Sequence, residues 1–190
     1  AKIAKDLGGI IHFFCVGRVL EQSDVEWLKK IDAGGHPIGN HTYDHVNVRA
    51  ETKDALQYRF RRSPWLIADR TVEEAIRENI RLTSVAMRER LGVDPVGFRT
   101  PGGFNDGLQA REDLQAMLLE LDFPWVSSVY PPHDLPPPGE RPTEEVIQSI
   151  LAAQKQAQPT VYPSGLVEVP MSPPSDITAF RSGRWSLDDY

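Results

Sequence analysis

The chain carries one cysteine, Cys15, so no disulfide can form within it and packing has to hold the fold. Set among Phe13, Phe14 and Val16, that thiol reads as a buried, inert small hydrophobe. No apolar run reaches the roughly 18 residues a membrane-spanning helix needs, so no transmembrane segment is expected. Residues 1–7 lack the pattern of a secretory signal. Blocks of lysine and arginine are also missing. With 21 basic against 27 acidic residues the formal charge is −6, which makes nucleic acid a poor partner. No internal repeat is visible, so no repeat array is expected.

What is present fits an ordinary globular chain: 40% hydrophobic and 25% charged residues, which argues against wholesale disorder. A length of 190 residues suits one domain, taken as residues 1–190, and is at the small end for an α/β barrel. Short apolar runs alternate with helical segments, the pattern of an α/β fold. Strands are predicted over residues 10–16, 36–39, 96–99, 124–129 and 166–169. The third of these runs into a glycine-rich loop. Helices are predicted from the capping-box pattern at Ser23 to Ala33, from the second such pattern at Thr71 to Leu91, and over residues 108–121 and 143–156.

Residues 50–67 read as a helix followed by an irregular excursion. Residues 130–142 hold six prolines and can only be a surface loop. The tail after Pro170 is irregular, and Trp185 to Asp189 could begin another helix. Five strands cannot close an eight-stranded barrel, and residues 1–7 read as the end of a helix. A strand ahead of Ala1 and further elements after Tyr190 are therefore expected.

His41 and His45, in Gly-Asn-His-Thr-Tyr-Asp-His, are the candidate metal ligands. Two histidines four residues apart can face one cation from the same side of a helical turn, and imidazole nitrogen suits zinc. A pair of surface or capping histidines is the bland alternative. The pair follows Ile38 and Gly39 at the end of a predicted strand, where parallel α/β folds build their sites. Asn40 and Thr42 are placed to hydrogen-bond around the imidazoles and fix their tautomers. A zincin protease is excluded, because the glutamate that should follow the first histidine is absent.

Three motifs in order carry a family resemblance: Phe13-Phe14-Cys15-Val16-Gly17, then Ala33-Gly34-Gly35-His36-Pro37-Ile38-Gly39-Asn40-His41-Thr42-Tyr43-Asp44-His45, then Phe98-Arg99-Thr100-Pro101-Gly102-Gly103. They resemble the NodB-type polysaccharide deacetylases, carbohydrate esterase family four. The resemblance covers about residues 1–130. It implies a distorted (β/α) barrel and a metal-dependent hydrolase that removes N-acetyl or O-acetyl groups from a carbohydrate. The cofactor it implies is a divalent metal: zinc first, with cobalt, nickel or manganese as alternatives. It also implies that Arg99 orients a catalytic aspartate, that Pro101 and Gly102 shape the substrate groove, and that Trp125 lines the acetyl pocket, with core packing as its competing role.

Two of the family's features have no match. The acidic pair expected before Ala1 would supply the third ligand and the base, and a late histidine would supply the acid. A small non-peptide amide is the rival substrate, and a non-catalytic carbohydrate-binding relative is the rival function. The resemblance sets an extracellular or periplasmic location ahead of a cytoplasmic one. His12 and His36 read as hydrogen-bonded structural histidines, and Trp65 as an aromatic able to stack on a sugar.

Overall fold

The computed structural model describes residues 1–56, 64 and 67–190. A short helix α1 (Lys2–Asp6) leads into β1 (Phe13–Cys15), a 3-10 turn (Gly17–Glu21), α2 (Glu26–Ala33) and β2 (Ile38–Asn40). There follow α3 (Lys53–Leu56), α4 (Val72–Leu91), β3 (Phe98–Phe104), α5 (Glu112–Glu120), β4 (Trp125–Val129) and α6 (Glu144–Gln156). A hairpin of β5 (Thr160–Val161) and β6 (Val167–Glu168) comes next, then a π-helical turn (Ile177–Ser182).

The six strands form one sheet in the order β1-β2-β3-β4-β6-β5, parallel except where β5 meets β6. This is the α/β architecture expected, and over the described residues the sheet stays open. Each strand sends alternate side chains to opposite faces. Phe98, Val126 and Leu166 point into the main core, against Ile76 and Ile80 of α4 and Leu114, Met117 and Leu118 of α5. Phe14, Arg99, Trp125, Val167 and Val169 line a cleft on the other face. A smaller core joins Cys15, Leu20, Leu28, Ile38, Met87 and Leu91.

Helix α4 sets the histidine segment in place, and its limits are set locally. Thr71 accepts from Glu74 N–H, the Glu74 carboxylate accepts from Thr71 N–H, and Gly92 closes the helix at φ 71°. The pattern at Ser23 behaves differently. Val25 occupies the cap of α2, and it is the Asp24 carboxylate that accepts from Glu26 N–H.

Four other expectations need correcting. Strand β3 continues to Phe104, so Pro101, Gly102 and Gly103 lie within a strand, where a register shift between Arg99 and Phe104 marks a bulge. Helix α5 starts at Glu112, because Leu108 is already engaged: its N–H donates to the Tyr162 hydroxyl, and its carbonyl accepts from Gln115 Nε2. Strand β5 went unpredicted. Finally, where residues 185–189 are expected to begin a helix there is only a turn at 187–189, with Trp185 packed on Ile150 and Ala179. Trp65 lies outside the described residues, as does most of the predicted excursion around it.

Glu168 ties the hairpin to the rest of the sheet. Its carboxylate, 1% exposed, accepts from the N–H groups of Ser128 and Val129 and from the hydroxyls of Ser128 and Tyr162. Replacing it with alanine strands at least two buried donors. Glu168→Ala should therefore lower the unfolding free energy by about 3 kcal/mol in urea titrations. A loss below about 1 kcal/mol would show that water replaces the carboxylate without cost.

Candidate metal centre

The segment from Asn40 to Val46 leaves the end of β2 as a loop, not as the helical turn expected from the spacing. Thr42 at φ 60° and His45 at φ 56° both lie in the left-handed region, which costs residues with a Cβ about 1 kcal/mol or more each. Surrounding bonds hold that conformation. Asn40 Oδ1 accepts from Thr42 N–H, and Thr42 Oγ1 accepts from Val46 N–H. From α4, the backbone carbonyl of Asn79 accepts from Tyr43 N–H, and its side-chain Oδ1 accepts from Asp44 N–H.

From the other side, Gly17 N–H and Arg18 N–H donate to the carbonyls of Thr42 and Tyr43. Arg18 Nε also meets the buried Asp44 carboxylate at 2.5 Å. Gly17 has to be glycine for this contact: a Cβ there would sit 2.5 Å from the Tyr43 ring and 2.7 Å from Thr83 Oγ1.

This loop brings the His41 and His45 rings to 4.8 Å between centroids, with their planes at 77°. His41 Nδ1 lies 2.8 Å from the carbonyl oxygen of Arg99. A carbonyl only accepts, so Nδ1 carries the proton and Nε2 keeps its lone pair, the tautomer a metal ligand needs. Burial pulls the His41 pKa down to about 4, with the charges of His45 and Arg99 adding to the effect and the Arg99 carbonyl opposing it. The donors therefore fit two positions of a nitrogen-coordinated divalent site. Among the described residues, no group of three or more histidine, cysteine or acidic side chains converges.

The Arg99 guanidinium lies on the open face, 4.5 Å above the Phe14 ring, with Nε and Nη2 at 3.3 and 3.2 Å from Ser127 Oγ. Among the described residues no carboxylate lies within ion-pair distance of it. Burial lowers its pKa, and the field of Glu168 opposes that shift. Arg99 borders a cleft of about 670 Å³ lined also by His12, Phe14, Trp125, Val167 and Val169.

Trp125 stands two residues before Ser127 on β4, which places it in this cleft toward the start of the strands. It packs against His12 and Phe14 and over Gly97, where a Cβ would come within 2.1 Å of the indole. Pro101 is buried beyond Arg99, and Gly102, at φ 86°, accepts from Thr100 Oγ1 through its carbonyl. His41, His45 and Arg99 are thus drawn together, while Trp125 belongs to the cleft wall.

The other histidines have separate surroundings. His36 accepts from Ile11 N–H at Nδ1 and faces the Ala1 carbonyl at Nε2, the structural bond expected of it. His12 stacks on Phe14, and burial lowers its pKa. His133 donates from Nδ1 to the Pro131 carbonyl, in the proline-rich loop.

Sequence reasoning did not single out Arg18, Asp44, Asn79 or Ser127. A signal existed for Asn79: an amide on the same helical stripe as Ala75, Ile76, Ile80 and Thr83 has to hydrogen-bond inward.

The family model described as polysaccharide deacetylase matches residues 2–118. No curated protein matches the chain. Among solved structures it is similar to Puue allantoinase, at a TM-score of 0.55 and 15% identity over 97% of this chain and 46% of that one. It is also similar to a proposed polysaccharide deacetylase from Mycobacterium smegmatis, with a TM-score of 0.49 and 21% identity over 90% of this chain and 43% of that one. A third similar structure is the Xyl-CE4 domain of a multidomain xylanase from the hindgut metagenome of Trinervitermes trinervoides, with a TM-score of 0.45 and 18% identity over 89% of this chain and 64% of that one. The chain thus spans between 43% and 64% of these three chains. The likeness to the allantoinase shows a shared fold.

The low pKa of His41 sets a pH dependence. Unfolded, the imidazole takes up its proton near 6.5; folded, it does so only near 4. Its contribution to stability is complete above 6.5, falls as the pH drops through that window, and is lost below about 4. Urea midpoints of metal-free protein should fall from pH 7.5 to pH 4.5, and the fall should be smaller in His41→Asn. Equal falls in the two proteins would refute the assignment.

Proposed function

Because the chain belongs to the polysaccharide deacetylase family, we propose that its protein is a metal-dependent hydrolase that removes N-acetyl or O-acetyl groups from a carbohydrate. The observation that carries this reading is the His41–Arg99 hydrogen bond, which leaves Nε2 of one histidine of a close pair ready to bind a cation. His41 and His45 hold the metal, zinc in the first instance, with cobalt, nickel or manganese as substitutes. When bound, such a cation supplies Lewis-acid chemistry, polarising an acyl carbonyl and making water more acidic.

The protein's own groups do the rest. Burial keeps His41 unprotonated at neutral pH, so no proton competes for its lone pair. Arg99, fixed by Ser127 and the Phe14 face, presents a guanidinium that orients the carboxylate acting as base. The peptides around Pro101 and Gly102 shape the groove past Arg99, and Trp125 walls the apolar side of the cleft. Phe14, Val167 and Val169 complete that apolar wall.

Metal analysis of the protein after dialysis, followed by acetate release from chitin oligomers and peptidoglycan, tests the reading. Stoichiometric zinc is expected, with acetate release falling by at least a hundredfold in His41→Ala. Absence of bound metal, or undiminished release by His41→Ala, would sink it. Release of product from small non-peptide amides but not from glycans would move the substrate class while keeping the metal. Zinc binding with no hydrolysis of either would assign a non-catalytic carbohydrate-binding role.

A further inference from the structure

The histidine loop is strained at Thr42 and His45, and beside the bonds within the motif, several groups that resist relaxation come from outside it. Asn79, wholly buried on α4, takes two successive N–H groups of the loop, Tyr43 on its carbonyl and Asp44 on its side chain. Its own amide is oriented by donating to the Ala75 carbonyl, and Thr83 Oγ1 donates to the Asn79 carbonyl. On the opposite side the Asp44 carboxylate, 1% exposed, is gripped at Oδ1 by Arg18 Nε. Its other oxygen, Oδ2, is buried and has no hydrogen-bond partner among the described residues. Asp44 immediately precedes His45, so its position dictates where the strained residue can begin.

We propose that Asn79 and the Arg18–Asp44 pair are positioning residues, a clamp that sets the mutual orientation of the His41 and His45 imidazoles before any cation arrives. The inference rests on the metal-site reading above. Neither side of the clamp touches the cation. Asn79 fixes the loop's amides from the helix, and the ion pair fixes its carboxylate from the 3-10 turn. Relaxing either lets His45 leave its left-handed conformation and swing its ring away from His41.

Two measurements on the same proteins test the clamp: Zn²⁺ affinity by calorimetry, and imidazole nitrogen signals of the metal-free protein by NMR. Asn79→Ala is the direct variant. Arg18→Ala alters a side chain that is only partly buried and keeps the test alive if Asn79→Ala does not fold. Zn²⁺ affinity should fall about 10- to 100-fold in Asn79→Ala, Arg18→Ala and Asp44→Ala. Asp44→Asn, which keeps an acceptor for Arg18 Nε, should recover most of the loss. The His45 imidazole signals should move in the three weakened variants and stay close to wild type in Asp44→Asn.

Wild-type Zn²⁺ affinity and unmoved imidazole signals in folded Arg18→Ala and Asp44→Ala would overturn the clamp. So would variants that melt earlier yet bind Zn²⁺ normally once folded, since their role would then be stability alone. If the wild-type protein binds no Zn²⁺, the metal reading fails by itself. The imidazole signals then decide the clamp: displaced in Arg18→Ala they support it, and unchanged they refute it.

Discussion

The carboxamide of Asn40 is shut off from solvent and bonds the covering helix and the histidine loop at once. Its Nδ2 donates to the Ile80 carbonyl and to Ser84 Oγ on α4, and its Oδ1 accepts from Thr42 N–H in the histidine loop. Its backbone, at the end of β2, faces Cys15 on β1 and Phe98 on β3. Sheet, covering helix and site-bearing loop therefore share one residue. A buried amide satisfied on all sides is specific in a way an apolar contact is not, because any shift of α4 along the sheet would break several bonds together. The geometry of the histidines follows from that register, since Asn79 sits one residue before Ile80 and reaches the next part of the same loop.

The sheet's two faces divide the labour. The helix-covered face is apolar and tightly filled, with Phe98, Val126 and Leu166 wholly buried. The open face alternates with it residue by residue and carries Arg99 between aromatic and aliphatic walls. Arg99 serves both sides of the site: its carbonyl sets the His41 tautomer and its guanidinium faces the cleft. The register shift on β3 follows directly after Arg99.

Short-range signals were the legible ones. The capping box at Thr71 and the stop at Gly92 fixed α4 from sequence alone, because caps are settled within a few residues. His41 and His45 stood out by spacing and by their place after an apolar run. The conformation joining them did not, because the loop with left-handed backbone at Thr42 and His45 is bonded by Asn79 and by the Arg18 turn, both far along the chain. Strand β5 escaped for a different reason: a strand of two residues carries no alternation to read. Glu168 on β6 is held by four donors from Ser128, Val129 and Tyr162, contacts that no local pattern announces.

The closeness of Gly17 to Tyr43 and Thr83 bears on how portable the motif is. The seven residues from Gly39 to His45 look like a self-contained chelating cassette, yet their shape is cast by a mould made of a glycine turn, an ion pair and one face of a helix. Grafted onto another scaffold without that mould, the same heptapeptide would relax out of its left-handed turns and present two histidines with no fixed relation. The binding geometry is thus a property of the domain, inherited as a whole or not at all.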